Sequence, residues 1–213
     1  MNKMFFRISV ALFLFISCNN VSEYYCEGYV KDVNGDPIAL ARIDVAADLS
    51  GKEVFSAKTD VNGYYKIKLP SPLEKMIVMS MASGYETVLK NHPYAPHFMV
   101  DTAIKQETWR KNKGRVKMPD VTLQLRTSPR YVLVRGCVLD AETEKPIPGL
   151  MPIANALTNR LGYYYFLWTP PAGSQTLQLK LVREGYVKLN YDTTLVVEKG
   201  TILHLPDLKM KKK

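Results

Sequence analysis

At 213 residues, 46% of them hydrophobic, the chain suits one or two domains, and past its N-terminal leader no apolar run is long enough to span a bilayer. Its 29 Lys and Arg against 20 Asp and Glu give a net charge of +9, yet the basic residues form no nucleic-acid motif. A nucleic-acid partner gains no support, and the closing KMKKK, Lys209 to Lys213, reads as a solvated tail able to lie near acidic headgroups.

The chain opens MNKMFFRISVALFLFISCNN. Lys3 and Arg7 flank a short apolar run over 8–16, and Ser17 precedes Cys18. The run is too short to cross a membrane and has the layout of a secretory signal. A small residue followed at once by Cys resembles the lipobox of bacterial lipoproteins, with Phe15 standing where Leu is usual. That resemblance implies a signal peptide over 1–17, a diacylglycerol thioether and an acylated amine (palmitate, for example) on Cys18, and a lipidated tether over 18–24. Each buried methylene contributes about 0.8 kcal/mol, so two or three chains hold a protein on a membrane without a spanning helix. Asn19-Asn20-Val21-Ser22 carries no acidic cluster, which favours the periplasmic face of an outer membrane over the cell surface. Two cysteines remain, Cys26 and Cys137, near the starts of two separate repeats. A bridge needs their Cα atoms within about 7 Å, so two buried thiols are expected.

The rest of the chain repeats. Gly28-Tyr29-Val30-Lys31-Asp32 and Pro37-Ile38 return as Gly136-Cys137-Val138-Leu139-Asp140 and Pro146-Ile147. "TDVNGYYKIKL" from Thr59 returns as "TNRLGYYYFLW" from Thr158. Ser83-Gly84-Tyr85 and Pro119-Asp120-Val121 return as Glu184-Gly185-Tyr186 and Pro206-Asp207-Leu208. Five landmarks in one order make an internal repeat of two small domains. Between them, Tyr65, Ile67 and Leu69 alternate with Tyr64, Lys66 and Lys68, the pattern of a strand with one buried and one wet face. Tyr164, Phe166 and Trp168 take the matching inward positions, and "MIVMSMA" and "LQLKLV" are further short strands. Many short strands without a long amphipathic helix predict an all-β protein of two sandwiches.

This order of motifs resembles the carboxypeptidase regulatory-like domain, a transthyretin-like sandwich. The resemblance covers residues 25–126 and 131–213, the second copy being the shorter. It speaks for fold more than for function, since related sandwiches serve as spacers, docking modules and sugar-binding domains.

The Thr-Asp/Asn-x-x-Gly-x-Tyr element reads as a turn. An Asx side chain can accept backbone N–H groups across it, and Gly63 or Gly162 can take the left-handed conformation that closes it. A calcium loop needs more oxygen ligands and a terminal acid, and the second copy has Asn159 beside Arg160. Pro146 to Thr158 is ten residues shorter than Pro37 to Thr59, so the second copy is expected to lose or shorten a strand there. The first copy carries an insertion over 91–117, with His92, His97, Trp109 and a basic run ending at Lys117. Loops outside a scaffold commonly hold binding residues.

Catalytic routes close one after another. No His-x-x-Glu zinc pair, hydroxyisourate-hydrolase C-terminal motif, nucleophile elbow, phosphate loop or dinucleotide fingerprint occurs, and no metal or other cofactor is expected. The closing strands "DVTLQL" and "DLKMK" offer no Asn for a pilin-type internal isopeptide bond. The candidate ligand-binding residues are Tyr163 and Tyr165, outward on their strand, and Trp109 among cations; exposed aromatics stack on sugars or form contacts between domains. The expectation is a non-enzymatic, lipid-anchored envelope module that docks a partner protein. A glycan-binding lipoprotein is the alternative, and a hydrolase built on the 91–117 insertion a second.

Overall fold

The computed structural model describes residues 23–47, 52–82, 85–87, 98–125, 130–171 and 173–213. The expected signal peptide over 1–17, Cys18, His92, His97 and the Ser83-Gly84 landmark lie outside them. The protein is all-β: sandwiches of short strands, with a single short helix among the described residues.

In the first half, β1 (Tyr24–Asp32) alternates strictly, with Cys26, Gly28, Val30 and Asp32 turned inward. It pairs antiparallel with β4 (Tyr64–Leu69), whose Tyr65, Ile67 and Leu69 are buried as their spacing predicts. On its other edge β1 takes two short parallel strands in turn, β8 (Arg115–Lys117) and β9 (Val121–Leu125). Pro119 has no N–H to give a ladder, so one continuous strand is replaced by two with a step between them. β6 (Tyr85–Thr87) continues the sheet beyond β9. Across the core lies a second sheet, β3 (Val54–Lys58), β2 (Arg42–Ala46), β5 (Lys75–Met81) and β7 (Phe98–Ala103), in that order and antiparallel throughout.

The second half repeats the scheme. β10 (Val132–Asp140) pairs with β11 (Tyr163–Trp168) on one side and, in parallel, with β14 (Ile202–His204) and β15 (Leu208–Met210) on the other, Pro206 making the same step. Facing it are β12 (Gly173–Leu181) and β13 (Leu189–Val197) alone. β12 and β13 match β5 and β7, but β2 and β3 have no counterpart. Met151–Leu157 spans the gap with one isolated bridge, Ile153 to Ala156. The ten missing residues are thus a whole hairpin. Each half has its own apolar core, one around Ile43, Tyr65 and Trp109, the other around Val134, Tyr164 and Leu179.

Two expectations need correction. The described part of the 91–117 stretch is scaffold rather than an outlying loop: it supplies β7, the six-residue helix α1 (Gln106–Lys111) and β8. The closing lysines are no free tail either. Leu208 and Met210 are buried, Lys209 pairs with Glu144 at 2.6 Å, and the Lys213 N–H donates to the Gly185 carbonyl. Apolar residues alternating with lysines make a strand with a wet face, and the density of charge disguised it.

That tail also meets a buried carboxylate. Asp140 accepts the Glu142 and Thr143 N–H groups on Oδ1, while Oδ2 takes the Tyr186 hydroxyl at 2.9 Å and lies 3.6 Å from the Lys212 ammonium. The Thr143 amide first, with the Tyr186 hydroxyl, holds its pKa far below the usual carboxylate range. A depressed folded-state pKa stabilises above the unfolded value of about 4 and is lost as pH falls toward it and below. Acid titration of the melting temperature should therefore show a loss beginning near pH 4, and Asp140→Asn should flatten that slope.

Candidate functional site

The repeated turn is built identically twice. The Asp60 carboxylate accepts the Asn62 and Tyr64 amides at 2.8 and 2.9 Å, and the Asn159 side-chain oxygen accepts those of Leu161 and Tyr163 at 2.9 and 3.1 Å. Gly63 and Gly162 sit at φ +70° and +78°. Thr59 and Thr158, both buried, donate their hydroxyls to Ile38 and Ile147 carbonyls and accept from the Ala41 and Leu150 amides. The Tyr that ends each motif lies over a glycine of the neighbouring strand: Tyr65 pairs with Gly28 and Tyr164 with Gly136, and a Cβ at either glycine would strike the ring. Every named residue of the motif is thus consumed by the fold. Among the described residues no cluster of three or more His, Cys, Asp or Glu gathers to hold a metal ion.

One difference between the copies carries meaning. Asp60 is exposed, whereas Asn159 is 2% exposed and donates its amide to the Pro37 carbonyl of the first half at 2.8 Å. The Arg160 N–H donates to the Val61 carbonyl at 2.8 Å, and Tyr165 packs edge-on against Tyr85 with centroids 5.5 Å apart. These contacts form a seam between the halves, with a small cavity of about 30 Å³ among Pro37, Ala39, Tyr85, Tyr163 and Tyr165. Replacing Asn159 by Asp would remove a buried donor and set a carboxylate against a carbonyl oxygen, a loss of about 2–3 kcal/mol. Asn159→Asp should lower the melting temperature and increase protease cleavage around 126–130, while Asp60→Asn, at an exposed turn, should change neither.

The sequence-derived candidates fare unequally. Tyr163 and Tyr165 are outward on β11, but both are half-buried along the seam, with the Arg135 guanidinium 5.9 and 5.6 Å from their rings. They present no open aromatic platform. Trp109 is 1% exposed, donates its indole N–H to the Leu73 carbonyl at 3.1 Å and meets Tyr24 edge-on. A ring so enclosed has no face for a ligand, which corrects its assignment as a binding residue. Cys26 and Cys137 are both free and buried; burial pushes their thiols up to about 12 and about 11, far from a reactive thiolate.

A further concave surface was not singled out in the sequence. A cleft of about 580 Å³ opens beside the seam, lined by Tyr29 and Lys31 of β1, Asp60 and Tyr64 of the first turn, Lys117, Asp120 and Arg160. Tyr29 and Tyr64 rings lie 5.3 Å apart, and the Tyr64 hydroxyl donates to Glu27 at 2.8 Å. Burial, then that bond, pushes its pKa up to about 12. Lys31 is paired with Asp120, and Lys117 and Arg160 add two more cations to the lining. These residues come from four separated segments, and only the strand parity of Tyr29, Lys31 and Tyr64 hinted that they share a face.

Comparison with protein-family models finds no match, and comparison with curated proteins finds none either. Among solved structures the chain is similar to the Bacillus anthracis TIE protein, at 13% identity and a TM-score of 0.33, covering 89% of this chain and 34% of that one. A Streptococcal ancillary pilin is similar at 14% and 0.34, covering 90% and 62%. The shaft pilin SpaA from Lactobacillus rhamnosus GG is similar at 9% and 0.36, covering 90% and 98%. The chain spans about a third and under two thirds of the first two. Superpositions this loose carry no argument about function.

Proposed function

We propose that the chain is a non-catalytic, lipid-anchored module of the cell envelope that docks partner proteins, a pair of regulatory-like sandwiches held on the outer membrane through Cys18 with the periplasmic face favoured. The observation that supports this most is the Asn159–Pro37 bond: the second copy has exchanged a turn carboxylate for an amide that fixes one sandwich against the other. A repeated motif used for turns and for the seam leaves nothing reactive in it, which fits a spacer with a defined shape. Among the described residues no helix is long and apolar enough to cross a membrane; on the proposed reading the lipid on Cys18 provides the attachment. The test is fractionation and cross-linked purification of the intact protein beside Cys18→Ala. The intact protein should sediment with membranes and retain a neighbour, and the variant should be released. A variant that stays with the membrane sinks the anchor, and an intact protein without a neighbour sinks the docking role.

A second reading, glycan binding, is favoured by the cleft at Tyr29 and Tyr64 rather than by the seam tyrosines. Adjacent aromatic rings beside cations and carboxylates can stack and hydrogen-bond a sugar. Titration of the Cys18→Ala protein with envelope oligosaccharides should then give binding that Tyr64→Ala abolishes; no heat at millimolar sugar would exclude it.

A further inference from the structure

We infer that the free edge of β12 is an interface for a second copy of this chain, the two β12 strands pairing antiparallel. The inference stands apart from the lipid anchor and from the docking role. In the first half the equivalent strand β5 has a partner on each side: β7 on one edge, and on the other β2, running antiparallel from Arg42 opposite Met81 to Ala46 opposite Ile77. In the second half the Gly-Tyr landmark after each strand aligns β12 with β5 and places Gln178–Val182 where β5 meets β2. The β2–β3 hairpin is absent there, and among the described residues β12 pairs with β13 only. Nine residues of strand therefore present one unpaired row of backbone donors and acceptors, a template for another strand.

What fits that edge is shown by what fills its counterpart. The first half completes a four-stranded sheet by adding an antiparallel hairpin, β2–β3, to β5–β7. A second copy brings the same kind of element: its β12–β13 hairpin would add antiparallel to give the order β13-β12-β12-β13 across a twofold axis, four strands again. Natural edges are protected by prolines, lysines, inward charges or bulges. β12 has no proline, inward charge or bulge, and Lys180 is its single charge. A twofold near Leu177 sets Lys180 opposite Ser174, so the two lysines do not face each other, and Thr176 meets Gln178. Leu177, Leu179 and Leu181 stay in their own core, and the outward Ser174, Thr176, Gln178 and Lys180 form a polar face that needs no cover. Val182, 62% exposed, stands at the end of this edge, where its counterpart Met81 is paired.

The experiment is sedimentation velocity on the soluble Cys18→Ala protein over a wide concentration range. The expected result is a monomer–dimer equilibrium. Thr176→Lys with Gln178→Lys adds like charges to facing strands, which destabilises a cross-strand pair, and should weaken association at least tenfold with unchanged circular dichroism. Mixing that variant with Thr176→Glu/Gln178→Glu should restore a dimer. Asn190→Lys with Thr194→Lys, on exposed positions of β13, should leave association as in the parent. A parent protein that stays monomeric at every concentration, or a β12 lysine variant that associates as the parent does, overturns the inference; the first outcome would leave the edge to a foreign strand.

Discussion

Trp109→Ala is expected to unfold the first half at a temperature about 10 °C or more below the parent. Truncating a buried Trp costs about 3–5 kcal/mol through lost apolar contact and the void left behind, and for a domain of this size each kcal/mol moves the midpoint by several degrees. The local arrangement supports the upper part of that range. The ring, carried on α1, belongs to the first core, its N–H satisfies the Leu73 carbonyl, and Tyr24 packs edge-on at 5.7 Å. Removing it leaves a buried acceptor unpaired as well as a cavity. The other tryptophan, Trp168, packs against the second core, so its emission reports that half alone. In urea, the circular dichroism of Trp109→Ala should fall before the Trp168 fluorescence changes. If the midpoint is unmoved and only ligand capture is affected, Trp109 is a binding residue after all.

Gly63→Ala should be as damaging, for a different reason. At φ +70° a side chain costs about 1–2 kcal/mol by itself. A Cβ there would also drive into the Val30 carbonyl oxygen of β1, with the Ile38 amide and Pro37 close behind. Backbone atoms held in a ladder cannot step aside, so crowding adds about 1–3 kcal/mol. The control is Gly35, which has φ +85° and nothing within 4 Å of the same added atom. Gly35→Ala should lose only the conformational part, about 1 kcal/mol. Equal losses from the two substitutions, measured by denaturant unfolding, would mean that the close approach at Gly63 is not what the residue is for.

How far the sequence could be read follows from which signals were local. Strand parity placed Tyr65, Ile67 and Leu69, and Tyr164, Phe166 and Trp168, on the inward faces because period-two alternation is set within a few residues. Asp60, Asn159 and their glycines were legible as turns for the same reason. The ten absent residues of the second half were visible and pointed to one lost or shortened strand; that both strands of a hairpin are gone was not legible. Trp109 was not legible, because a tryptophan among lysines and arginines looks exposed until a short helix turns one face inward. The lysine-rich end was misread likewise: charges at alternate positions mark a strand's wet face as readily as a tail. The cleft at Tyr29, Tyr64 and Arg160 depends on how the halves meet, and that meeting turns on the side-chain amide of Asn159, a one-atom difference from Asp whose meaning lies in a residue far away in the chain.

The seam has a direction. Its donor belongs to the second copy and its acceptor, the Pro37 carbonyl, to the first. A head-to-tail contact between like units has no reason to stop after one joint, and such contacts build fibres when they repeat. Here the series ends at once. Pro146 occupies the acceptor's place on the second copy, but the residue that would have to reach it from another molecule's first copy is Asp60, a carboxylate with no hydrogen to offer. Exchanging that single residue for Asn would supply the missing hydrogen alone; the Arg160–Val61 backbone bond and the Tyr165–Tyr85 ring contact of the seam would still need counterparts.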